Sequence, residues 1–313
     1  MTPLPERAAT RPLAIWIVSD GKPGHLNQAR GLAEALAHAA AVETHFVPAL
    51  PVWRAAFAWL FRCSPAPGLP PPDLILGAGH ATHLTLLAAR RAAGGRAVVL
   101  MKPSLPRRLF DLVIVPAHDG LKADARIWVT EGAINRVRPA AEPDDARMRR
   151  GLILIGGESS HFEWNGDAIH VQIKSLLARL PALRWTLATS RRTPADFLAR
   201  LPGHETLEVV PPEAASPDWL PAQLVASGTV WVTPDSASMV YEALTAGADV
   251  GVFDLPVNPK SRVGRAIAGL ADAHRVTRFT QWCAHGVLHP NRSPLAEADR
   301  IASRLLAWLP QRN

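Results

Sequence analysis

The chain has 313 residues, 48% hydrophobic and 19% charged, enough apolar material for two domains of about 150 residues each. No run of roughly 18 uncharged apolar residues occurs and MTPLPERAATRP carries no signal-peptide pattern, so no transmembrane helix and a cytoplasmic location are expected. The net charge of +7 comes from 34 basic residues, five Lys and the rest Arg; without a basic run interleaved with aromatics it points to phosphate-rich substrates or an anionic membrane surface, and away from nucleic acid.

Residues 13–18 (LAIWIV) read as a buried strand, followed by Ser19–His25 and a helical pattern from 26 to about 40. Strand, glycine loop and helix would suit a phosphate loop, but GxGxxG and GxxxxGK[ST] are both absent, so neither a dinucleotide fingerprint nor a P-loop is supported. Gly21 and Gly24 would let a substrate approach the backbone closely, with Asp20 and His25 beside it. The plainer alternative is an Asp-Gly turn with a structural His. Residues 42–47 form a second strand, and 52–62 (VWRAAFAWLFR) a short helix with Trp53, Phe57, Leu60 and Phe61 on one face and Arg54 and Arg62 to the other side. That helix either packs on the first sheet or rests on an anionic membrane.

Strands at 73–76, 97–101, 110–115 and 127–130 alternate with a helix around 81–93, which predicts a parallel sheet wrapped on both faces. His80 and His83 are three apart, but with no third ligand in view a metal site is not expected. Residues 139–150, polar and Pro-containing, read as a linker. Two cysteines, Cys63 and Cys283, make no metal or redox motif.

A second α/β series opens with 151–155 (GLILI) and the turn Gly156-Gly157-Glu158-Ser159. Gly-Gly-X-Ser after a strand often makes a nest of N–H groups for an anion, although many such turns hold only water. After a strand at 184–188, Arg191 and Arg192 stand at its carboxyl end, with Thr193 expected as a helix cap. Strands at 207–210, 229–233 and 248–255 follow, then helices near 263–271 and 295–309.

Residues 230–247, VWVTPDSASMVYEALTAG, carry the strongest local signal. Residues 230–232 suit a buried strand, Thr233-Pro234-Asp235-Ser236 is turn and cap chemistry, and 237–246 is a helix stopped by Gly247. Ser236 and Ser238 place hydroxyls beside the free N–H groups of the helix start, which attract phosphate. Glu242 shares a face with Ser238, about 6 Å further along the axis. A pyrophosphate at the helix start leaves a ribose near Glu242, whose carboxylate accepts from both hydroxyls. The bland alternative is an ordinary cap and a solvated Glu.

The run TPDSASMVYEALTAGADVGVFDLP is similar to the donor-nucleotide segment of GT-B glycosyltransferases, and more closely resembles the elongated-mitochondria fission family, the plant fission factor and its bacterial relatives. SDGKPGH, MKPSLPRRLFDLVIVPAHD, the Gly-Gly turn and SRRTP are further tokens of that family, spread over nearly the whole chain. SDGKPGHLNQARGLAEAL is also reminiscent of the glycine loop of the lipid II N-acetylglucosaminyltransferase, where the acceptor approaches. The family pattern at the Gly-Gly turn resembles GGPSRHFRW; Ser160 and Glu163 stand here where basic residues are usual, which weakens charge-based phosphate binding by that loop.

The resemblance implies an α/β, GT-B-like architecture: two doubly wound, Rossmann-like parallel-sheet domains facing a cleft. Residues 1–140 form the acceptor side and 151–313 the nucleotide side, with the last helix crossing back to the first domain. It further implies metal-independent transfer of a sugar from a nucleoside diphosphate sugar to an acceptor hydroxyl, with no cofactor. The acceptor is either soluble or linked to lipid at the inner face of a membrane. Glu242 would hold the ribose; Ser236, Ser238, Asp235, Arg191, Arg192, Gly156, Gly157 and Ser159 would surround the pyrophosphate; His25 or Asp20 would act as base. The rivals are a GT-B-type sugar-nucleotide epimerase and a non-catalytic membrane or protein-binding scaffold.

Overall fold

The structure is a computed structural model and describes residues 11–140, 144–201 and 203–309. Strands and helices alternate as β1 (Leu13–Ser19), α1 (Pro23–Ala39), β2 (Val42–Pro48), α2 (Val52–Phe61), β3 (Leu74–Ala78), α3 (His83–Ala93), β4 (Arg96–Leu100), β5 (Leu112–Pro116) and β6 (Ile127–Thr130). The second half continues with α4 (Asp145–Met148), β7 (Arg150–Ile155), α5 (Gly166–Arg179), β8 (Arg184–Thr189), α6 (Ala195–Ala199), β9 (Leu207–Val210), α7 (Trp219–Ala226) and β10 (Thr229–Val232). It ends with α8 (Ala237–Thr245), β11 (Asp249–Val252), α9 (Arg262–Asp272), β12 (Thr277–Arg278), α10 (Phe279–His285) and α11 (Glu297–Trp308). Of the described residues, those up to Arg136 and those from Glu297 onward make one compact unit, and Val137–Ala296 makes the other.

Each unit is built on a six-stranded parallel sheet, ordered β2-β1-β3-β4-β5-β6 in the first and β12-β11-β10-β7-β8-β9 in the second. Successive strand residues point to opposite faces. In the first sheet Ile15, Ile17, Leu74 and Leu76 pack with Leu32 and Leu36 of α1 and Ile301 and Leu305 of α11. Trp16, Val18, Ile75 and Val99 pack on the other face with Leu86 and Ala89 of α3. Burial on both faces is why these strands read as unbroken apolar runs rather than alternating ones.

Local findings that depart from the sequence reading include two helices. The 14-residue helix α5 occupies a stretch for which no element is predicted. Its buried face includes His170 and Gln172, which interrupt the apolar stripe; Gln172 is satisfied by the backbone N–H and C=O of Asp254, and His170 Nε2 lies 3.0 Å from the Phe197 carbonyl. The stretch 139–150, read as a linker, carries α4, whose Arg147 side chain donates to the carbonyls of Val225 and Ala246; residues 141–143 within it lie outside the described residues. His83 is buried, 3.2 Å from Ser104 Oγ and edge-on to Phe110. Burial, with the neighbouring His80, lowers its pKa to about 4, so it is neutral at pH 7.

Candidate functional site

In a doubly wound sheet the ligand crevice lies at the carboxyl ends of the strands where the connectivity reverses. In the second unit the chain runs outward from β7 through β8 to β9, then returns to the other side of β7 as β10, so the reversal falls between β7 and β10. The loops that follow β7, β8 and β10 are the ones holding Gly156–Ser159, Arg191–Arg192 and Asp235–Ser236.

These loops are tied together through Asp235, whose side chain is 1% exposed. Its Oδ2 accepts from the Gly157 N–H at 3.0 Å and from Arg192 Nη2 at 2.8 Å. Arg192 also donates to the Glu158 carbonyl. The Gly156 N–H donates to Thr233 Oγ1, and the Gly156 carbonyl accepts from the hydroxyls of Ser190 and Thr193. Both glycines are required by space: a Cβ on Gly156 would stand 2.1 Å from Asp235 Oδ2, and one on Gly157 2.1 Å from the Arg192 carbonyl. Asp235, Gly156, Gly157 and Arg192 are thus brought together as a lock holding the loop, with part of the Arg192 guanidinium still open to solvent. Thr193, expected as a cap, instead spends its hydroxyl on this lock, and Pro194 takes the cap position of α6. Ser159 Oγ accepts from the N–H groups of His161 and Phe162, closing its own turn. Arg191 is exposed and has no ion pair or side-chain hydrogen bond among the described residues.

The start of α8 is differently disposed. Ser236 occupies the cap position without making a side-chain cap bond, and its Oγ sits 3.3 Å from Ser238 Oγ, which is exposed. The N–H groups of Ala237, Ser238 and Met239 precede the first intrahelical bond, from Val240 to the Ser236 carbonyl, and so face outward unpaired by the helix. One turn on, Glu242 is partly exposed and its carboxyl group has no hydrogen bond or ion pair among the described residues. Desolvation by burial pushes its carboxyl up to about 7. A carboxylate that pays for desolvation without a protein partner is suited to accept from a ligand.

The first unit repeats the topology. The chain leaves β1 for β2 on one side and returns to β3 on the other, so the reversal falls between β1 and β3. At the carboxyl ends of those strands His25 Nδ1 lies 2.9 Å from Asp20 Oδ2. Burial works to raise the Asp20 carboxyl, but the hydrogen bond from His25 and the Lys22 N–H leave it below its usual value. An ionised carboxylate only accepts, so Nδ1 donates to it, which leaves Nε2 as the acceptor in the neutral tautomer. The ring lies flush on Gly79, just past β3, where a Cβ would stand 2.3 Å from Nδ1 and Cε1. Gly79, Thr233 and Ser190 escape sequence reading because their partners lie far along the chain.

A cavity of about 740 Å³ in the second unit, lined among others by Arg150, Arg184, Glu205 and Glu208, opens at the amino ends of β7–β9, away from these residues. Topology and chemistry favour the carboxyl edge, where a smaller space of about 100 Å³ lies between Phe162, Pro234, Phe253 and Leu255. Among the described residues no three His, Cys, Asp or Glu side chains gather as metal ligands, and no helix is long and apolar enough to cross a membrane.

A family model described as mitochondrial fission ELM1 matches residues 23–309. The uncharacterized protein RP120 of Rickettsia prowazekii (strain Madrid E) is 22% identical, with 92% of this chain and 96% of that protein covered. Among solved structures, a candidate UDP-N-acetylglucosamine 2-epimerase from Listeria monocytogenes is similar with a TM-score of 0.63 at 13% identity, covering 95% of each chain. MnaA of S. aureus, solved with UDP, has a TM-score of 0.53 at 14% identity and 94% coverage of both. CalG4, the calicheamicin glycosyltransferase, has 0.52 at 12% identity, covering 96% of this chain and 99% of that one. At these identities the likeness establishes the fold, which is that of GT-B glycosyltransferases and related epimerases.

Proposed function

Since the chain belongs to the mitochondrial fission ELM1 family and has a GT-B fold, we propose that it transfers a sugar from a nucleoside diphosphate sugar to an acceptor hydroxyl. The observation that carries the donor half is Glu242, a desolvated carboxyl without a protein partner, one turn from a helix start whose first N–H groups are unpaired by the helix and whose Ser238 hydroxyl is exposed. The diphosphate is bound by Ser236, Ser238 and the N–H groups of α8, whose dipole favours negative charge there. Arg191 and the open part of Arg192 stabilise the leaving diphosphate as the glycosidic bond breaks, in place of a metal cation. Asp235, Gly156, Gly157 and Ser159 hold the loops in shape. The ribose hydroxyls donate to Glu242.

In the acceptor half His25 Nε2 takes the proton of the attacking hydroxyl, and Asp20 orients the ring and stabilises the imidazolium that forms. The acceptor is proposed to be linked to lipid.

The test is a thermal-stability screen with UDP-, GDP- and ADP-sugars, in which a ligand at about 100 times its dissociation constant adds about 2.7 kcal/mol. Calorimetry on Glu242→Ala follows, and undiminished nucleoside diphosphate affinity removes Glu242 from the site. Incubating the responding nucleotide sugar without acceptor separates chemistries: inversion of a sugar carbon means epimerase, and no stabilisation by any nucleotide sugar returns the chain to a non-catalytic scaffold.

A further inference from the structure

Helix α2 is built inside out. Its only buried residues are Ala55 and Ala58, in a helix packed beside α3, while Trp53, Phe57, Leu60 and Phe61 are 57–68% exposed. Of the thirteen large apolar side chains exposed among the described residues, six belong to this one helix, with Val52 and Trp59 completing the set. A helix of ten residues that keeps its small side chains for the core and its large ones for the outside is not stabilised by that choice in water.

The charge around it is one-sided. Residues 44–72 contain no Asp or Glu. Arg54 lies 5.0 Å over the Trp53 ring and Arg91 of α3 4.6 Å over the Trp59 ring, and Arg62 ends the helix in a left-handed conformation. Two copies of this face meeting each other would bring these cations together with no local acid to offset them, which disfavours self-association. The face is a convex helix, without a groove to receive a peptide. Tryptophan and phenylalanine settle at the boundary between head groups and acyl chains, and arginine stems lie along apolar surface while their heads reach outward to phosphate.

We infer that α2 seats the first unit on an anionic lipid surface, with Trp53, Phe57, Leu60 and Phe61 entering the head-group boundary and Arg54, Arg62 and Arg91 meeting lipid phosphates. This goes beyond the nucleotide reading and does not depend on it, since binding requires no donor.

The experiment is flotation of the full chain, without nucleotide, with vesicles of phosphatidylcholine alone and of phosphatidylcholine with phosphatidylglycerol, at low and high salt. The wild type is expected to float with the anionic vesicles at low salt, to release as salt rises, and to stay behind with neutral ones. Arg54→Glu with Arg62→Glu should weaken binding by at least about 30-fold, each cation near the surface being worth about fivefold. Trp53→Ser with Phe57→Ser should abolish it while leaving the melting temperature unchanged, because neither side chain is in the core. Quenching by bromolipid should fall when Trp53 is replaced by Phe. Wild type remaining in solution overturns the inference, as does binding that these variants do not alter. A sedimentation-velocity dimer dissolved by Trp53→Ser with Phe57→Ser would assign the face to a second copy instead.

Discussion

The two sheets of this protein have the same reversal of connectivity, between β1 and β3 in one and β7 and β10 in the other, yet they present opposite chemistry at it. In the first unit the reversal holds a His–carboxylate pair, polarised so that one ring nitrogen is left as an acceptor. In the second it holds a helix start whose first N–H groups are unpaired by the helix and, one turn on, an unpartnered carboxyl group. Topology chooses where a ligand approaches; the few residues after each strand choose what it meets. The two also spend their polar groups differently. The second unit uses Asp235 Oδ2, Thr193 and Ser190 in locking its loops, whereas Asp20 divides its oxygens between the Lys22 N–H and the His25 ring.

The largest effect should come from the first unit. His25→Ala is expected to lower nucleoside diphosphate release in the presence of acceptor by about 10²–10⁴ while leaving donor affinity unchanged. Adding Asp20→Asn to it should cost little more, because the two act as one device. Equal losses of donor affinity and melting temperature would make His25 a structural residue on Gly79 and erase the contrast between the two reversals.

In the second unit Glu242→Ala should weaken donor binding at least tenfold, each charge-assisted bond being worth about 1.5–3 kcal/mol. Its pH signature is independent of catalysis. A carboxyl whose pKa is raised by folding binds its proton more tightly in the folded chain, so stability is greatest below the ordinary value of 4.5 and falls as pH climbs through about 7. The loss accrues between about pH 4.5 and 7, is complete above that, and should be on the order of 3 kcal/mol. Glu242→Gln should remove that slope and melt higher than wild type at pH 8 but not at pH 4; parallel melting curves from pH 4 to 8 would show that Glu242 is solvated.

Smaller effects separate the lock from the ligand groups. Gly156→Ala forces a Cβ against Asp235 and should cost about 1–3 kcal/mol in urea unfolding, along with donor binding. Arg191→Ala should lower nucleoside diphosphate affinity by about 1 kcal/mol without changing stability, whereas Arg192→Ala should lower both. Identical behaviour of the two arginines would mean that the lock and the anion site are one and the same.

Much of this was legible in the chain alone. Apolar runs bounded by Gly and Pro marked β1, β5, β7 and β10, because strands buried on both faces tolerate no polar alternation. The spacing of Ser236, Ser238 and Glu242 placed them along one helix, because three and four residues make one turn. What required tertiary structure was every property arising between distant segments. No local pattern says that Asp235 Oδ2 ties together Gly157 and Arg192, 78 and 43 residues away. None says that His25 rests on Gly79, or that α5 satisfies Gln172 on the backbone of Asp254. The amphipathic pattern of α2 predicted that it has an apolar face, but periodicity is indifferent to direction. Only packing decided that Ala55 and Ala58 go inward and the aromatics go out.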